Sequence, residues 1–387
     1  MSEEPGEQTD HEPRLCASVA RARGEEARLW LQQQGLLDPH ARVGGEGPLL
    51  FFPLSERAVP GATSPRESAE GCGARDDGSV DAGGLGPMAQ SFATHFGATF
   101  AVREAKVRSR DRGAYQKVAR VPEEERAALP QSFDHVGDIA VVKFDERNER
   151  WKDEVARAIL ASYKGIRAVA ADEGVEGETR VRALRKIAGE GDLSTVYKEF
   201  GIAIEVDLSK TFFTPRLAGE RRRLALLVAP YEHVLDAFAG VGPISLQIAK
   251  LQPTAEVESV DINGAAVEIL RRNAQRNKLK NIRAHEGDFK AFAAAAKPRS
   301  FSRVVMNLPH RAKEFLPDAL PLVALGGFVH LYGILPLEKI MPEQGQLGRI
   351  AEAAGARVTI LRARPIKSYS PKDLFVVFDL RVDAPGK

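Results

Sequence analysis

Hydrophobic positions in the second half of the chain alternate between the spacing of strands and the spacing of helices. A short apolar run ends at Asp236, and Gly240 and Gly242 follow it. Pro243 then opens a segment whose apolar residues recur as on one face of a partly buried helix. This order predicts a strand, a glycine-rich turn and a helix. Proline suits the first helical turn, because its missing N–H would have had no partner there.

The glycine-rich turn is a candidate binding site for a small molecule, because glycines let the backbone approach a ligand closely. A dinucleotide fingerprint begins in the same way, but it has glycine or alanine three positions after the second glycine. Ser245 occupies that position, and Pro243 narrows the space for a pyrophosphate. Further strand signals follow at 257–263, before 286–289 and at 303–310. The first of them ends in the motif Asp261-Ile262-Asn263, where the aspartate is placed to bind the hydroxyls of a ribose.

This series of elements resembles the class I S-adenosylmethionine-dependent methyltransferases. In that class the glycine-rich turn holds the methionine part of the cofactor, and acidic residues after the second and third strands hold its ribose and adenine. The resemblance implies these roles for 236–242, Asp261 and Asp288. The alternative is a doubly wound domain that binds an unrelated nucleotide. The cofactor-binding residues implied by the resemblance are Asp236, Phe238, Gly240, Gly242, Asp261, Ile262, Asp288, Phe289, Asn307 and Pro309.

Composition and charge limit the classes of protein that this chain can represent. Its 387 residues exceed one typical domain, so two or three domains are predicted. A net charge of +2 does not indicate a uniformly basic nucleic-acid binder, although local basic patches are compatible with it. Cys16 and Cys72 are the only cysteines, which predicts no disulfide framework and a reducing compartment. The acidic start and the lack of a long apolar run predict no signal peptide, no membrane span and a cytoplasmic location.

Changes in composition along the chain predict its division into domains. Residues 14–58 form a small unit with a helix and a strand, and 59–93 have the Gly-, Ser- and Asp-rich composition of a linker or loop. Residues 94–204 form a middle α/β domain, and 205–387 form the domain that carries the glycine-rich turn. A hairpin loop at 368–373 fits the antiparallel hairpin that the methyltransferase resemblance predicts. The predicted fold is therefore α/β, with a doubly wound Rossmann-like domain, a closing antiparallel hairpin and two smaller N-terminal α+β domains.

Basic residues cluster in one short stretch of the middle domain. Arg180, Arg182, Arg185 and Lys186 lie within it. Proteins contact the RNA backbone mainly through such clusters, so the stretch is a candidate RNA-binding surface. A solvated helix face explains the same charges equally well. The histidines His285 and His310 have no ligand partners at a recognisable spacing, so the sequence predicts no metal site.

The residues near the predicted cofactor site restrict the atom that is methylated. Methylation of a pyrimidine carbon ordinarily takes a cysteine nucleophile, and no cysteine follows Cys72. Methylation of the adenine amine typically uses an Asn/Asp-Pro-Pro-aromatic loop, whereas the loop here is Asn307-Leu308-Pro309-His310. Methylation at N1 of guanine requires a carboxylate that accepts the N1 proton and a cationic donor at O6.

Four motifs together closely resemble the archaeal and eukaryotic tRNA (guanine-N1-)-methyltransferases that act at position 37. They are PRLAGER at 215–221, HVGDIAVV at 135–142, DAFAGVGP at 236–243 and MNLP at 306–309. The resemblance runs from about Leu15 to Val382 and is broken by the Gly-rich segment. It implies an N-terminal domain that senses the outer corner of tRNA, a middle domain that helps to clamp the anticodon stem-loop, and a C-terminal catalytic domain. It also implies S-adenosyl-L-methionine as cofactor and a monomer.

The family resemblance also implies roles for single residues. Glu220 corresponds to the general base for the N1 proton, Arg180 to the donor at O6 and Asn307 to the residue that orients the base. Arg216 and Arg221 correspond to arginines that bind phosphate and position loops, and Arg182 is an RNA-binding candidate. Phe212 stands where the family commonly has tyrosine, so any role of that hydroxyl is absent here.

Other interpretations remain open. Glu220 lies among arginines, so an intrahelical ion pair accounts for it as well, and Asp288 is also a favourable helix cap. A transferase of the wyosine pathway would use the same cofactor on a tricyclic derivative of the same guanosine, moving a methyl or an aminocarboxypropyl group. The MNLP loop argues against aminocarboxypropyl transfer but not against a second methylation. A tRNA-binding protein without catalytic activity is the third hypothesis, which the acidic set at Asp236, Asp261 and Asp288 disfavours.

Overall fold

A computed structural model describes most of the chain. The described residues are 9–108, with gaps at 39–40, 42, 56–57, 60–61, 63, 65–66, 68, 71, 73 and 76–78, followed by 114–176, 181–370 and 372–383. The chain divides into two compact units, Met1–Arg112 and Gly113–Lys387. Within the described residues no helix is both long enough and apolar enough to cross a bilayer.

The first unit is built on an antiparallel sheet in the order β2-β3-β1-β5-β4. Its strands are β1 (Thr9–Ala20), β2 (Gly44–Glu46), β3 (Leu49–Pro53), β4 (Ser79–Val80) and β5 (Thr99–Arg108), and its helices are α1 (Gly24–Gln34) and α2 (Pro87–Phe96). The predicted helix and strand of this region correspond to α1 and β3. Apolar side chains of both helices pack with those of β1 in one core.

The segment 59–93, for which the composition predicts a linker or loop, contributes side chains to the core of the first unit. Val59, Cys72, Val80 and Leu85 are buried in the core of the first unit, together with residues of α2. The division between the compact units falls after Arg112 rather than inside this segment. A composition rich in small and polar residues is typical of turns, but a few apolar residues among them are enough to pack the segment against a hydrophobic core. The other predicted domain boundaries remain predictions.

The second unit begins with a small mixed sheet in the order β6-β7-β8-β9 and a separate hairpin of β10 and β11. The elements are α3 (Ala114–Val118), β6 (Asp134–Val136), β7 (Ile139–Lys143), α4 (Lys152–Ser162), β8 (Ala168–Glu176), β9 (Val181–Gly189), β10 (Ser194–Glu199) and β11 (Ile202–Asp207). The predicted strand and helix are β7 and α4. The charges of the basic stretch at 180–186 are compatible with an RNA-binding surface and with a solvated helix face. Its described part is a strand, β9, so the helix alternative is wrong.

A seven-stranded sheet in the order β14-β13-β12-β15-β16-β18-β17 forms the rest of this unit. Its strands are β12 (His233–Asp236), β13 (Glu256–Asp261), β14 (Ile282–Glu286), β15 (Phe301–Met306), β16 (Val323–Pro336), β17 (Arg357–Ser368) and β18 (Asp373–Asp383). The helices are α5 (Ala218–Leu226), α6 (Pro243–Leu251), α7 (Gly264–Arg276), α8 (Phe289–Ala295), α9 (Leu316–Ala319) and α10 (Ile340–Ala353). The strands β12 to β16 pair in parallel, and β17 and β18 form the antiparallel hairpin.

Side-chain alternation divides this sheet into two buried faces. Val305 and Tyr332 point to the face that α5 and α6 cover. Their neighbours Met306 and Leu331 point to the opposite face, which α8, α9 and α10 cover. Because parallel strands with helices on both sides are buried on both faces, their sequences are apolar at consecutive positions. The predicted doubly wound fold with a closing antiparallel hairpin is confirmed, and the hairpin loop lies between Ser368 and Asp373 as predicted.

Candidate functional site

The glycine-rich turn lies between β12 and α6, at the carboxyl edge of the parallel strands. Gly242 has φ 81°, and a side chain there would place its Cβ 2.7 Å from Leu270 Cγ. Gly240 has φ 55°, and its Cβ would meet no protein atom within 4 Å among the described residues. The turn therefore packs closely against α7 at Gly242 and leaves open space beside Gly240.

Asp236 ends β12 and is completely buried. Its Oδ2 accepts a hydrogen bond from Ser245 Oγ at 2.7 Å, and Ser245 Oγ accepts one from Ser259 Oγ at 2.9 Å. Its Oδ1 has no hydrogen-bond partner among the described residues. Burial raises the pKa of the Asp236 carboxyl to about 7, against the opposing bond from Ser245. The site thus holds a buried carboxyl oxygen that no described residue uses as an acceptor.

Asp261, at the end of β13, holds the glycine-rich turn in place. Its Oδ2 accepts a hydrogen bond from the Gly240 N–H at 2.6 Å, and its Oδ1 accepts one from the Asn263 N–H at 2.9 Å. Burial raises the pKa of this carboxyl, and these two backbone bonds oppose the shift. Ile262 is next to it and is 53% exposed, so an apolar side chain faces outward at the same edge.

The third acidic position, Asp288, caps helix α8. Its Oδ1 accepts hydrogen bonds from the N–H groups of Lys290 and Ala291 at 2.9 and 3.1 Å. Capping and cofactor contact are compatible, since the carboxylate is exposed. Phe289 is buried and packs on Phe238, with ring centroids 5.3 Å apart. These two predicted cofactor residues therefore lie together on the face covered by α8.

Glu220 is 6% exposed and lies on α5 within a cluster of partners from distant strands. Arg223 donates to both carboxylate oxygens at 2.7 to 3.1 Å. Tyr332 Oη donates to Oε1 at 2.9 Å, and Arg364 Nη2 donates to Oε2. The intrahelical ion pair considered from the sequence is present, with Arg223 as the partner. The same carboxylate also contacts a second and more exposed cation, Arg364, from a distant strand.

A chain of buried charges extends from Glu220 through Arg223. Asp379 Oδ2 accepts from Arg223 Nη1 at 3.1 Å, and Asp379 Oδ1 lies 2.6 Å from His330 Nδ1. Burial alone would raise the pKa of Asp379, but the bond from His330 and the charge of Arg223 lower it to about 2. Arg223 is thus held between two carboxylates, which fixes the orientation of Glu220.

Strand register brings Asn307 to the same region. Asn307 follows Met306, the residue paired with Leu331, so it lies level with Tyr332. Tyr332 pairs with Val377, and Val377 pairs with Arg364. Tyr332, Val377 and Arg364 of this row face α5. Pro309 and His310 line a neighbouring cavity of about 400 Å³ together with Tyr332, Lys339 and Arg349.

The predicted RNA-binding arginines have different surroundings. Arg221 is buried, with its Nε 2.8 Å from Glu199 Oε1 and its Nη1 3.1 Å from the Thr214 carbonyl oxygen. The guanidinium is therefore buried against a carboxylate, and the predicted role of Arg221 in binding phosphate or positioning a loop remains a prediction. Arg216 is half-exposed and binds Asp134. Arg180 and the side chain of Arg182 lie outside the described residues, so their roles remain predictions.

The burial of Arg221 predicts a loss of stability on substitution. Both side chains of the Arg221–Glu199 pair are at most 5% exposed. The R221M substitution would leave Glu199 buried without its cation, which is expected to lower the free energy of unfolding by about 3–5 kcal/mol. Urea unfolding followed by circular dichroism measures this change. Unchanged stability together with weakened tRNA binding would show that Arg221 contacts RNA instead.

Sequence reasoning missed the residues that surround Glu220. Tyr332, Arg364 and Asp379 lie 112 to 159 positions away along the chain, on strands β16 to β18. Apolar alternation predicted strands there, yet it gave no signal for a polar side chain facing a distant carboxylate. The arginines near Glu220 in the sequence were recognised, but only Arg223 among them binds it.

The sequence matches two known protein domains. Residues 195–360 match the TRM5/TYW2 methyltransferase domain, and residues 118–192 match the TYW2 N-terminal domain. Both matches lie inside the second compact unit. The first covers the whole region from β10 to the start of β17, which includes the glycine-rich turn and Glu220.

Proteins with sequence and structural similarity cover nearly the full chain. Trm5b of Pyrococcus abyssi, a tRNA (guanine(37)-N(1))-methyltransferase, is 37% identical over 289 residues, which are 73% of this chain and 85% of the relative. Its crystal structure gives a TM-score of 0.64 at 31% identity and covers 96% of this chain and 100% of that one.

Two further similar proteins are a transferase named for tRNA(Phe) and a protein solved in complex with tRNALeu. A tRNA(Phe) (4-demethylwyosine(37)-C(7)) aminocarboxypropyltransferase of Pyrococcus horikoshii is 31% identical over 265 residues, which are 68% of this chain and 93% of the relative. The complex of aTrm5 and tRNALeu gives a TM-score of 0.60 at 26% identity and covers 95% of this chain and 100% of that one. The chain therefore belongs to the TRM5/TYW2 family of S-adenosylmethionine-dependent tRNA methyltransferases.

Proposed function

We propose that the protein methylates N1 of guanosine 37 in tRNA. The observation that carries this proposal is the buried carboxylate of Glu220, which contacts a guanidinium at the carboxyl edge of the sheet, level with Asn307. N1 of guanine carries a proton at neutral pH, so its methylation requires a proton acceptor and a donor that stabilises charge on O6. The similarity to Trm5b supports the same reaction.

The residues around the glycine-rich turn fit S-adenosylmethionine. Asp236 Oδ1 is a buried acceptor with no described partner, which suits the ammonium group of the methionine part. The open space beside Gly240 admits the cofactor to the backbone. Each Asp261 oxygen accepts one backbone bond and has a further lone pair for a ribose hydroxyl. When bound, the cofactor supplies an electrophilic methyl group on a sulfonium.

Glu220 then serves as the acceptor of the N1 proton. Arg223 holds the carboxylate through two oxygens, and Tyr332 fixes Oε1, so the oxygen Oε2 is the one directed toward Arg364 and solvent. We assign base orientation to Asn307 and stabilisation of O6 to Arg180. Arg216 is assigned to contact with RNA because its guanidinium is half-exposed. The tRNA itself is proposed to bind through the anticodon stem-loop and the outer corner, with the protein acting as a monomer.

Incubation with labelled S-adenosylmethionine tests the proposed reaction. Two unmodified tRNA transcripts are compared, one with guanosine and one with adenosine at position 37, and the nucleosides are identified by mass spectrometry. Formation of 1-methylguanosine in the first transcript alone is expected. Transfer of an aminocarboxypropyl group, or activity only on a tricyclic guanosine derivative, would support the wyosine-pathway function of the P. horikoshii relative instead.

The carboxyl of Asp236 predicts a pH dependence of cofactor affinity. Its pKa is raised from 3.8 to about 7, so the free protein is largely protonated there below pH 7. Because an ammonium group binds the ionised form, affinity is expected to rise about tenfold per pH unit below pH 7 and to fall again above about pH 8, where the α-amino group of the cofactor loses its proton. Calorimetry near pH 6 is expected to show release of about one proton. The D236N variant should bind weakly at every pH, and a pH dependence that persists in it would refute this explanation.

A further inference from the structure

Access to Glu220 from solvent depends on one of its three partners. The side chain of Arg364 is 36% exposed, whereas that of Arg223 is 11% exposed and Tyr332 is buried. Arg364 reaches Glu220 Oε2 from strand β17, at the edge of the sheet. Departure of this guanidinium would uncover Oε2, while Arg223 and Tyr332 would still hold the carboxylate.

The two arginines that bind Glu220 are restrained to different degrees. Arg223 binds a second carboxylate, Asp379, at 3.1 Å, and both of these side chains are nearly buried. The Nε of Arg364 makes no hydrogen bond within the described residues. Arg364 is therefore held at one end only, by the carboxylate that the proposed reaction uses as base.

The edge of guanine complements this ion pair. N1–H is a donor directly beside the acceptor O6, and a carboxylate beside a guanidinium presents an acceptor directly beside a donor. Adenine presents the reverse order, since its N1 accepts and its exocyclic amine donates. A guanine placed between Glu220 and Arg364 would replace their ion pair with two hydrogen bonds, one from N1–H to the carboxylate and one from the guanidinium to O6. An adenine would instead place its acceptor N1 against the carboxylate and its amine donor against the guanidinium, so neither hydrogen bond could form.

We propose that Arg364 is a catalytic residue, which moves from Glu220 to O6 of the target guanine. This inference rests on the proposed function. In the reaction the N1 proton passes to Glu220 Oε2, and the electron pair left on the purine is stabilised at O6 by Arg364. That pair forms the bond from N1 to the methyl carbon, while the carbon–sulfur bond breaks and its electrons remain on sulfur. O6 has two lone pairs, so Arg180 can share it with Arg364.

The test compares R364A with R362A. Arg362 is an exposed arginine on the same strand, so both substitutions remove one charge from the same edge. Loss of the donor at O6 is expected to lower kcat about 10²–10³-fold in R364A. R362A is expected to retain the wild-type kcat. Added methylguanidinium is expected to restore part of the activity of R364A only, and raising the pH toward the pKa of guanine N1 is expected to do the same.

Each other outcome contradicts the proposal. An R364A variant with unchanged or increased kcat would show that Arg364 only covers Glu220. If kcat of R364A decreases and neither methylguanidinium nor high pH restores it, the role of Arg364 is structural. If R364A does not fold, R364K is measured instead, and a kcat equal to wild type or to R362A would refute the need for a planar guanidinium. If the wild type forms no 1-methylguanosine, the proposed function fails before Arg364 is tested.

Discussion

Replacement of Glu220 by glutamine is expected to lower kcat about 10²–10⁴-fold, the usual contribution of a general base. The glutamine amide has nearly the same shape as the carboxylate, and its oxygen can still accept hydrogen bonds from Arg223 and Tyr332. It cannot accept the N1 proton. The cofactor does not contact Glu220 in this scheme, so its affinity is expected to remain within about twofold of wild type. Single-turnover methylation of a transcript with guanosine 37 measures the effect.

The E232Q variant is a matched control for this loss. Glu232 is also a mostly buried carboxylate, bound by Arg303 at 2.8 and 2.9 Å, but it lies at the opposite end of β12 from the glycine-rich turn. E232Q is expected to change stability and to leave kcat near wild type. If both variants lose activity in proportion to their stability, Glu220 is a structural ion-pair residue and another base must be sought.

The substitution of Asp261 by alanine is expected to weaken S-adenosylmethionine binding about 10²–10⁴-fold. The magnitude follows from the loss of two hydrogen bonds from ribose hydroxyls to a charged group, at about 1.5–3 kcal/mol each. Loss of the bond from the Gly240 N–H also releases the glycine-rich turn. Calorimetric titration with the cofactor measures the affinity in the absence of tRNA.

Asp207 provides the comparison for this substitution. It accepts a hydrogen bond from the backbone N–H two residues later, Ser209 at 3.0 Å, as Asp261 does from Asn263 at 2.9 Å. D207A therefore removes a similar turn-holding bond away from the parallel strands. Wild-type cofactor affinity in D261A would exclude the ribose contact. Equal losses in both variants would instead point to a general effect on the fold.

Local pattern was sufficient to predict the framework of the catalytic part. The apolar run before Asp236, the turn glycines and Pro243 specify a strand, a turn and a helix from residues within one short segment. Asp236 and Asp261 follow parallel strands, so their meeting at one sheet edge could be anticipated from the order of the elements. The bond between Gly240 and Asp261 is a direct result of that arrangement.

The surroundings of Glu220 could not be predicted in this way. Tyr332 and Arg364 reach it, and Asp379 reaches its partner Arg223, because β18 inserts between β16 and β17. This order depends on the antiparallel return of the last strands. Alternation identifies which residues share a face but not which residue of a distant strand stands opposite a given helix position. The burial of Arg221 was missed for the same reason, since its partner Glu199 comes from another hairpin.

The position of Arg364 on β17 has a consequence for solubility. Within the described residues β17 pairs with a strand on one side only, so the backbone groups of its other side are not paired with a strand. An edge strand of this kind can pair with a strand of another molecule unless charged residues, proline or β-bulges prevent it. The strand has all three, with Arg362, Arg364 and Pro365 beside two irregularities in register. The arginine proposed to act on guanine therefore also helps to protect this edge against aggregation, and loss of both arginines would leave that protection to Pro365 and the two irregularities.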